Sequence, residues 1–242
     1  MIEPLALSVV VPAFNEASRI GDTLAELRRT LPSMAESWEV RVVDDGSHDE
    51  TAHLVADAAA EDHRIVLQCE AHRGKGAAVR AGLLAARGEL RFMCDADLSM
   101  PLDELPKFLA LVPAQCDIAI GSREGPGARR VGEPLYRHLV GRAFNYVVRA
   151  GRLGDIQDTQ CGFKLFSRQA VDTVFPRTTI DGWAFDIEVL WIARHAGLRV
   201  TELPIEWHYR ERSRVSIVRD SLRMVNDVWR VRFNAMRGKY DG

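Results

Sequence analysis

The 242 residues contain no apolar run approaching the length of about 18 that a membrane-spanning helix requires, so any contact with a bilayer is expected at its surface. Cysteine is scarce: Cys69, Cys94, Cys116 and Cys161 lie far apart, without a C-x-x-C pair or histidines at zinc-ligand spacing. That excludes a disulfide framework and a zinc ribbon, and the four are expected to be reduced core thiols of a cytosolic protein. The first strand is not followed by G-x-G-x-x-G, which argues against a nicotinamide dehydrogenase. RGKGA at 73–77 lacks both the Ser/Thr and the first-glycine spacing of a P-loop. The amino-terminal residues show neither a charged n-region nor a small-residue cleavage site and are not expected to be a signal peptide. Excess charge is lacking too: the net value is -2 and the pI near 6.4, which argues against bulk nucleic-acid binding.

What is present is 47% hydrophobic and 27% charged residues, enough for a sizeable core and unlike a disordered chain. The small net charge conceals a polarity. Residues 1–120 hold 11 Lys+Arg against 20 Asp+Glu, whereas 121–150 hold 6 against 2 and 205–242 hold 9 against 5. An acidic first half suits a cation or a sugar, and the basic segments suit a phosphate or an anionic surface.

Short β-branched runs alternate with helical patterns along the first half. Strands are expected at 5–11, 38–43, 65–69, 90–93 and 118–121, and helices at 17–31, 49–62, 76–86 and 102–111. That rhythm predicts an α/β fold with a mostly parallel central sheet flanked by helices. A Gly/Pro/Arg-rich loop at 122–134 precedes a helix at 135–150, then strands at 160–166 and 199–207 around a helix at 184–195. The stretch 215–236 sets Val218, Leu222, Val225 and Trp229 at helical spacing among arginines, which fits either a packing helix or a surface helix for anionic lipid.

Ligands of such sheets sit beyond the carboxyl ends of the strands. Three sets of polar residues fall there: Asn15-Glu16, Asp44-Asp45 and Asp95-Ala96-Asp97. Two carboxylates one residue apart at a strand end repel each other unless a cation joins them. A hard divalent ion completed by a diphosphate would do so. The plainer alternative is a turn whose aspartates cap the helix near Leu102. Asp44-Asp45-Gly46-Ser47 can likewise accept a base N–H or simply punctuate a strand-turn-helix junction, with Asp49 opening the helix.

Taken together, VVVPAFNE at 9–16, VVDDGSHDET at 42–51, RGKGAAVRAG at 73–82, DADLS at 95–99 and IGSR at 120–123 occur in the order and spacing of family 2 glycosyltransferases. DTQCGFKLFSR at 158–168, WAFDIEVL at 183–190 and the late Trp207 with Ser213-Arg214 resemble the dolichyl- or polyprenyl-phosphate glucosyltransferase branch. The resemblance implies one GT-A glycosyltransferase domain over 1–242: a nucleotide-sugar and metal half at 1–120, an acceptor half at 121–210, and a basic helix at 211–242. The implied activity is inverting transfer of a hexose, glucose or a relative such as N-acetylgalactosamine, from its UDP form to polyprenyl phosphate. Transfer to a saccharide or protein hydroxyl is the alternative, and a non-catalytic nucleotide-sugar-binding partner a remote one.

By the same resemblance Pro12, Phe14, Glu16 and one or both of Asp44 and Asp45 hold the uridine, with Gly74 and Lys75 close to the nucleotide. Asp95 and Asp97 face the diphosphate and a Mg²⁺ or Mn²⁺ ion. Ser99 stands where related mannosyltransferases place a metal-binding Gln. Arg123 and Arg137 hold the acceptor phosphate, with Gly141, Arg142 and Asn145 completing the arginine motif and Gly141 replacing its Ser. Arg212-Ser213-Arg214 stands where the branch has G-S-K. Asp158 orients the acceptor or a sugar hydroxyl, or else caps a turn before Gln160. Asp186 and Glu188 either act at the reaction centre or pair with Lys164 or Arg168. The implied partners are the UDP-sugar, polyprenyl phosphate and the membrane surface, reached through the C-terminal helix or a small membrane protein, with no nucleic acid. The implied location is the cytoplasmic face of that membrane.

Overall fold

The computed structural model describes residues 5–133, 156–209 and 217–240. The helix expected at 135–150, with Arg137, Gly141, Arg142 and Asn145, lies outside the described residues, as does Arg212-Ser213-Arg214.

Nine strands and seven α-helices are described. They are β1 (Leu5–Ala13), α1 (Ile20–Thr30), β2 (Trp38–Asp44), α2 (Thr51–Glu61), β3 (Ile65–Cys69), α3 (Lys75–Ala85), β4 (Gly88–Cys94), α4 (Leu105–Leu109), β5 (Ile118–Ser122) and β6 (Arg129–Val131). After them come β7 (Phe163–Ser167), α5 (Arg168–Val174), α6 (Phe185–His195), β8 (Val200–Pro204), β9 (Glu206–His208) and α7 (Ile217–Met236). Seven strands form one sheet in the order β3-β2-β1-β4-β7-β5-β8. All its pairings are parallel except those of β7, which runs antiparallel to β4 and β5.

The β-branched runs of β1 and β2 are buried on both faces, as a helix-covered parallel sheet requires. Their two-residue alternation sorts the core. Val9, Val11, Val40, Val42, Phe92 and Leu165 face one apolar layer, which α1, α2 and α4 cover. Val10, Val43, Met93, Ile118, Ile120 and Phe166 face the other, under α3, α5, α6 and the end of α7.

Chain order reverses between β1 and β4, since β2 and β3 lie on one side of β1 and β4 on the other. β1 stays paired with β2 out to Ala13 opposite Asp44 but leaves β4 after Val10 opposite Met93. Two residues further on stands Pro12, which has no N–H to give the ladder. The sheet therefore opens at this switch point, where ligands of α/β sheets bind. Helix α3 lies close beneath it because its residues are small: a Cβ on Gly82 would meet Val10 and Val43 side-chain carbons at 2.5 and 2.6 Å.

The structure departs from the sequence expectations at five places. The loop 122–134 contains β6, which pairs in parallel with β9 and sets Arg130 opposite Trp207. The strand expected at 199–207 is two strands, because Ile205 donates its N–H to Ser122 at the edge of the large sheet and accepts from Arg129 of the small one. Helix α5 was not anticipated; Ser167 caps it by accepting the Ala170 N–H at 3.1 Å. Cys69 is exposed at the end of β3, whereas Cys94, Cys116 and Cys161 are buried. Leu102–Glu104 is a 3₁₀ turn that receives no side-chain cap, so neither aspartate of the 95–97 cluster caps it.

Glu188 on α6 ties the chain's end to its centre. Completely buried, it accepts the N–H groups of Thr179 and Ile180 at 2.8 Å and the hydroxyls of Thr179 and Tyr240 at 2.7 Å. It thus pairs with neither Lys164 nor Arg168. Asn234 of α7 donates to Thr179 Oγ1 and to the Tyr240 hydroxyl oxygen. Removing the carboxylate strands four buried donors. Glu188→Ala is expected to lower the unfolding free energy by about 3 kcal/mol, measured by urea denaturation.

Candidate functional site

Three strand ends meet at the switch point. After β1, Asn15 takes a left-handed φ of 53° and is fixed by Ser47 Oγ on its N–H at 2.7 Å and by the His48 N–H on its Oδ1 at 2.7 Å. The Glu16 N–H is held by Thr51 Oγ1 at 2.7 Å, and its carboxylate pairs with Arg19 at 2.7 Å. Arg19 in turn reaches Asp97 at 3.9 Å, and Thr23 donates to the carbonyl of Ala96 at 2.5 Å. The start of α1 is thereby bound to the aspartate turn after β4.

After β2 the two aspartates part company. Asp45 is buried and spends both oxygens on the next loop, accepting the Arg73 and Gly74 N–H groups at 2.9 Å and lying 2.8 Å from His72 Nδ1. His72, which the sequence did not single out, stacks on Phe14 with centroids 4.1 Å apart. Asp44 accepts the Ser47 N–H through Oδ2 at 3.1 Å, while its Oδ1 is buried without a hydrogen-bond partner. Buried polar atoms are rarely left so, and this one calls for a donor.

Helix α3 begins at the crevice. Gly74 takes φ 121°, and a Cβ there would stand 2.7 Å from the carbonyl oxygen of Asp181. A Cβ on Gly76 would meet the Ile180 carbonyl oxygen and Phe185 Cβ at 2.6 Å. These glycines admit the segment 179–182, which Arg80 secures through Asp181 at 2.6 Å. Lys75 then points its ammonium at Asp95 Oδ1, 2.5 Å away, with the Trp183 ring 5.2 Å off. Burial works against the charge on Lys75, but Asp95, Asp186 and Asp97 outweigh it and raise its pKa.

After β4, Asp95 lies against the backbone of Gly162, where any Cβ would collide with its carboxylate. Asp97 folds back in an Asx turn, accepting the Ser99 N–H through Oδ1 at 2.9 Å. The Asp95 and Asp97 side chains keep 31% and 28% of their surface exposed, so both open onto the crevice. Among the described residues no cluster of three or more His, Cys, Asp or Glu surrounds a metal position. Two hard carboxylates, Asp95 already holding the Lys75 ammonium, fit a divalent ion that takes its other ligands from substrate and water.

Asp186, at the start of α6, is the third carboxylate near this point. Lys164 binds its Oδ1 and the Cys161 carbonyl, each at 2.5 Å, so the pairing with Lys164 foreseen from sequence is present. Burial pushes the Asp186 carboxyl up, opposed by the Lys164 and Lys75 ammonium groups.

Arg123 and Asp158, given separate roles in the sequence reading, are joined to each other. Asp158 accepts Arg123 Nε at 2.6 Å, Nη2 at 2.8 Å and the backbone N–H at 3.0 Å, a bidentate clasp of a fully buried carboxylate. Glu202 holds the Asp158 N–H from below at 2.7 Å. The Trp207 ring lies 5.7 Å from the Arg123 guanidinium and 6.0 Å from that of Arg130. Glu202 had no recognisable sequence signal, only the register of β8 against β5 bringing it in, while Gly162 lies within the 158–168 motif without having been given a role.

The profile of glycosyl transferase family 2 matches residues 8–175, more than half of the chain. This protein belongs to that family. It is 39% identical over 212 residues to a dolichyl-phosphate β-glucosyltransferase of Trichomonas vaginalis, covering 82% of this chain and 63% of that one. The yeast Saccharomyces cerevisiae dolichyl-phosphate β-glucosyltransferase is 31% identical, with 98% of this chain and 77% of the relative covered. The chain thus spans less than two thirds of the length of the first of these relatives. Among solved structures, glucosyl-3-phosphoglycerate synthase of Mycobacterium tuberculosis with phosphoglyceric acid superposes with a TM-score of 0.68 at 18% identity, covering 94% of this chain and 80% of that one. The same enzyme with Mn²⁺, UDP and glucosyl-3-phosphoglycerate gives 0.66. The shared architecture is the GT-A fold.

Burial alone would raise the Asp158 carboxyl, but Arg123 reverses this and holds it below the ordinary carboxylate range. A depressed folded pKa stabilises the protein above the unfolded value of about 3.9 and loses that contribution as pH falls toward the folded value. Asp158→Asn is expected to cost about 3 kcal/mol at pH 7, the gap from the native protein narrowing below about pH 4 in urea titrations.

Proposed function

We propose that this chain transfers glucose from UDP-glucose to the phosphate of a polyprenyl, dolichyl-type lipid, inverting the anomeric centre. The observation that supports the reading most is the convergence of Asp95, Asp97 and Lys75 on the crevice between β1 and β4, in a chain similar to dolichyl-phosphate glucosyltransferases over most of its length.

Asp44, with its unpartnered Oδ1, is assigned to a uracil N–H. Asp45 shapes the loop that carries Gly74 and Lys75, and Pro12, Phe14 and Glu16 line the nucleoside side. Asp95 and Asp97 would hold a divalent ion, Mg²⁺ or Mn²⁺, whose charge would neutralise the departing diphosphate. A lipid monophosphate is already ionised near neutral pH, its second pKa being about 6, so the acceptor needs placement more than deprotonation. Arg123 provides it: Asp158 holds Nε and Nη2, and Nη1 is assigned to the acceptor phosphate, with Arg137 as its partner. An acceptor oxygen placed opposite the UDP displaces it in one step.

The lipid brings the protein to a bilayer. No helix among the described residues is long and apolar enough to cross a membrane. On α7, Trp229, Phe233 and Met236 are 62%, 48% and 79% exposed and follow helical spacing along one stripe. Arg230, Arg232, Arg237 and Lys239 border it, with Arg232 over the Trp229 ring at 5.3 Å and Arg237 over Phe233 at 4.0 Å. An apolar stripe edged by cations suits the cytoplasmic face of an anionic membrane.

Incubation with radiolabelled UDP-glucose, Mn²⁺ and polyprenyl phosphate should yield an organic-extractable product, reduced at least about a hundredfold by Asp97→Asn; no product with any UDP-hexose would refute the reading. In flotation with phosphatidylglycerol vesicles, Trp229→Ala/Phe233→Ala is expected to bind about tenfold more weakly than the native chain. Equal flotation would remove α7 as the docking element.

A further inference from the structure

Asp95 and Asp97, one residue apart after β4, and Asp186 at the start of α6 bring three carboxylates to one side of the crevice. Lys164 is fully buried and serves Asp186. Arg19 lies 3.9 Å from Asp97 and is drawn closer to Glu16, at 2.7 Å. The cation on Asp95 is Lys75, at 2.5 Å. Its ammonium thus occupies a coordination direction of the carboxylate that a divalent ion needs. The other oxygen of Asp95 lies beside Gly162, where a Cβ would collide with it.

Lys75 is also the first residue of α3, whose first turn carries no acidic side chain and whose N-cap is Gly74. A cation is poorly placed at that end of a helix, whereas an anion is favoured there. The ammonium is therefore held by Asp95 and the Trp183 face rather than by its own helix.

We propose that Lys75 is an exchangeable counter-ion. It sits on Asp95 while no divalent ion is present, is displaced by the ion, and transfers its ammonium to the diphosphate that arrives with the metal. This rests on the reading of Asp95 as a metal ligand and adds an ordering to it. Metal alone must compete with an intramolecular cation. Metal together with diphosphate gives that cation a new partner. Binding of the two is then mutually reinforcing, and the coupling is the same whichever is added first.

The test is equilibrium binding of Mn²⁺, followed by electron paramagnetic resonance of the free ion, to the full chain with and without saturating UDP. The native protein is expected to bind Mn²⁺ weakly alone and at least about tenfold more tightly with UDP. Lys75→Met, an unbranched side chain of similar reach, should bind Mn²⁺ alone about tenfold more tightly than the native protein and lose most of the enhancement by UDP. Lys75→Arg, which keeps the charge, should behave as the native chain and shows whether a change in the Met variant stems from charge rather than from altered folding. Unchanged or weaker Mn²⁺ binding by Lys75→Met, with Asp95→Asn abolishing it in both backgrounds, overturns the exchange and leaves the metal reading intact. Mn²⁺ binding that survives Asp95→Asn overturns both.

Discussion

Everything at the crevice follows from bringing like charges together. Asp95 and Asp97 leave β4 one residue apart, and Asp186 enters from α6, so three carboxylates approach a region partly closed to water. Such an arrangement is stable only with cations between them. Lys75 meets that demand from α3, Lys164 from β7 and Arg19 from the start of α1. The three cations come from three different elements, so the charge balance of the site also holds the layers in register. The aspartates look less like punctuation of a turn than like the reason why α1, α3 and β7 meet where they do.

A second balance stands on the far side of β7. There the buried Asp158 clasps Arg123, and Trp207 from the small sheet lies against the same guanidinium. An arginine fixed by a carboxylate is rigid and remains charged, which suits a group that must orient an anion without reorganising. Its rigidity depends on β8, through Glu202, and on β6 and β9, which carry Arg130 and Trp207. The third anchor, Glu188, is remote from the chemistry but fixes the segment 179–182 against which Gly74 and Gly76 pack. Through it the carboxyl-terminal residues Asn234 and Tyr240 bear on the position of Lys75.

Much of this was legible in the sequence because its signals are local. Runs such as VVV at 9–11 and VV at 42–43 can be little else than buried strands; Asp44-Asp45 directly follows the second, and Asn15-Glu16 follows the first after three residues. The antiparallel insertion of β7 was not legible, since a short apolar strand carries no mark of its direction. The pairing of β6 with β9 was hidden because Arg129–Val131 has a charged, exposed pattern that reads as loop. The sequence named Asp44 and Asp45 together but could not tell them apart. Their difference arises from the next loop, whose amides saturate Asp45 and leave one oxygen of Asp44 unpaired. Likewise, Arg123 and Asp158 are 35 positions apart and only the β5–β7–β8 register makes them one unit.

The central claim is that the acceptor oxygen belongs to a phosphate. Phosphorus-31 NMR of polyprenyl phosphate incubated with the protein, UDP-glucose and Mn²⁺ reads this directly. The account predicts that the monoester resonance gives way to a phosphodiester whose sugar shows the anomeric proton coupling of a β-glucoside. A monoester that persists unchanged while glucose is transferred to a hydroxyl acceptor would contradict it.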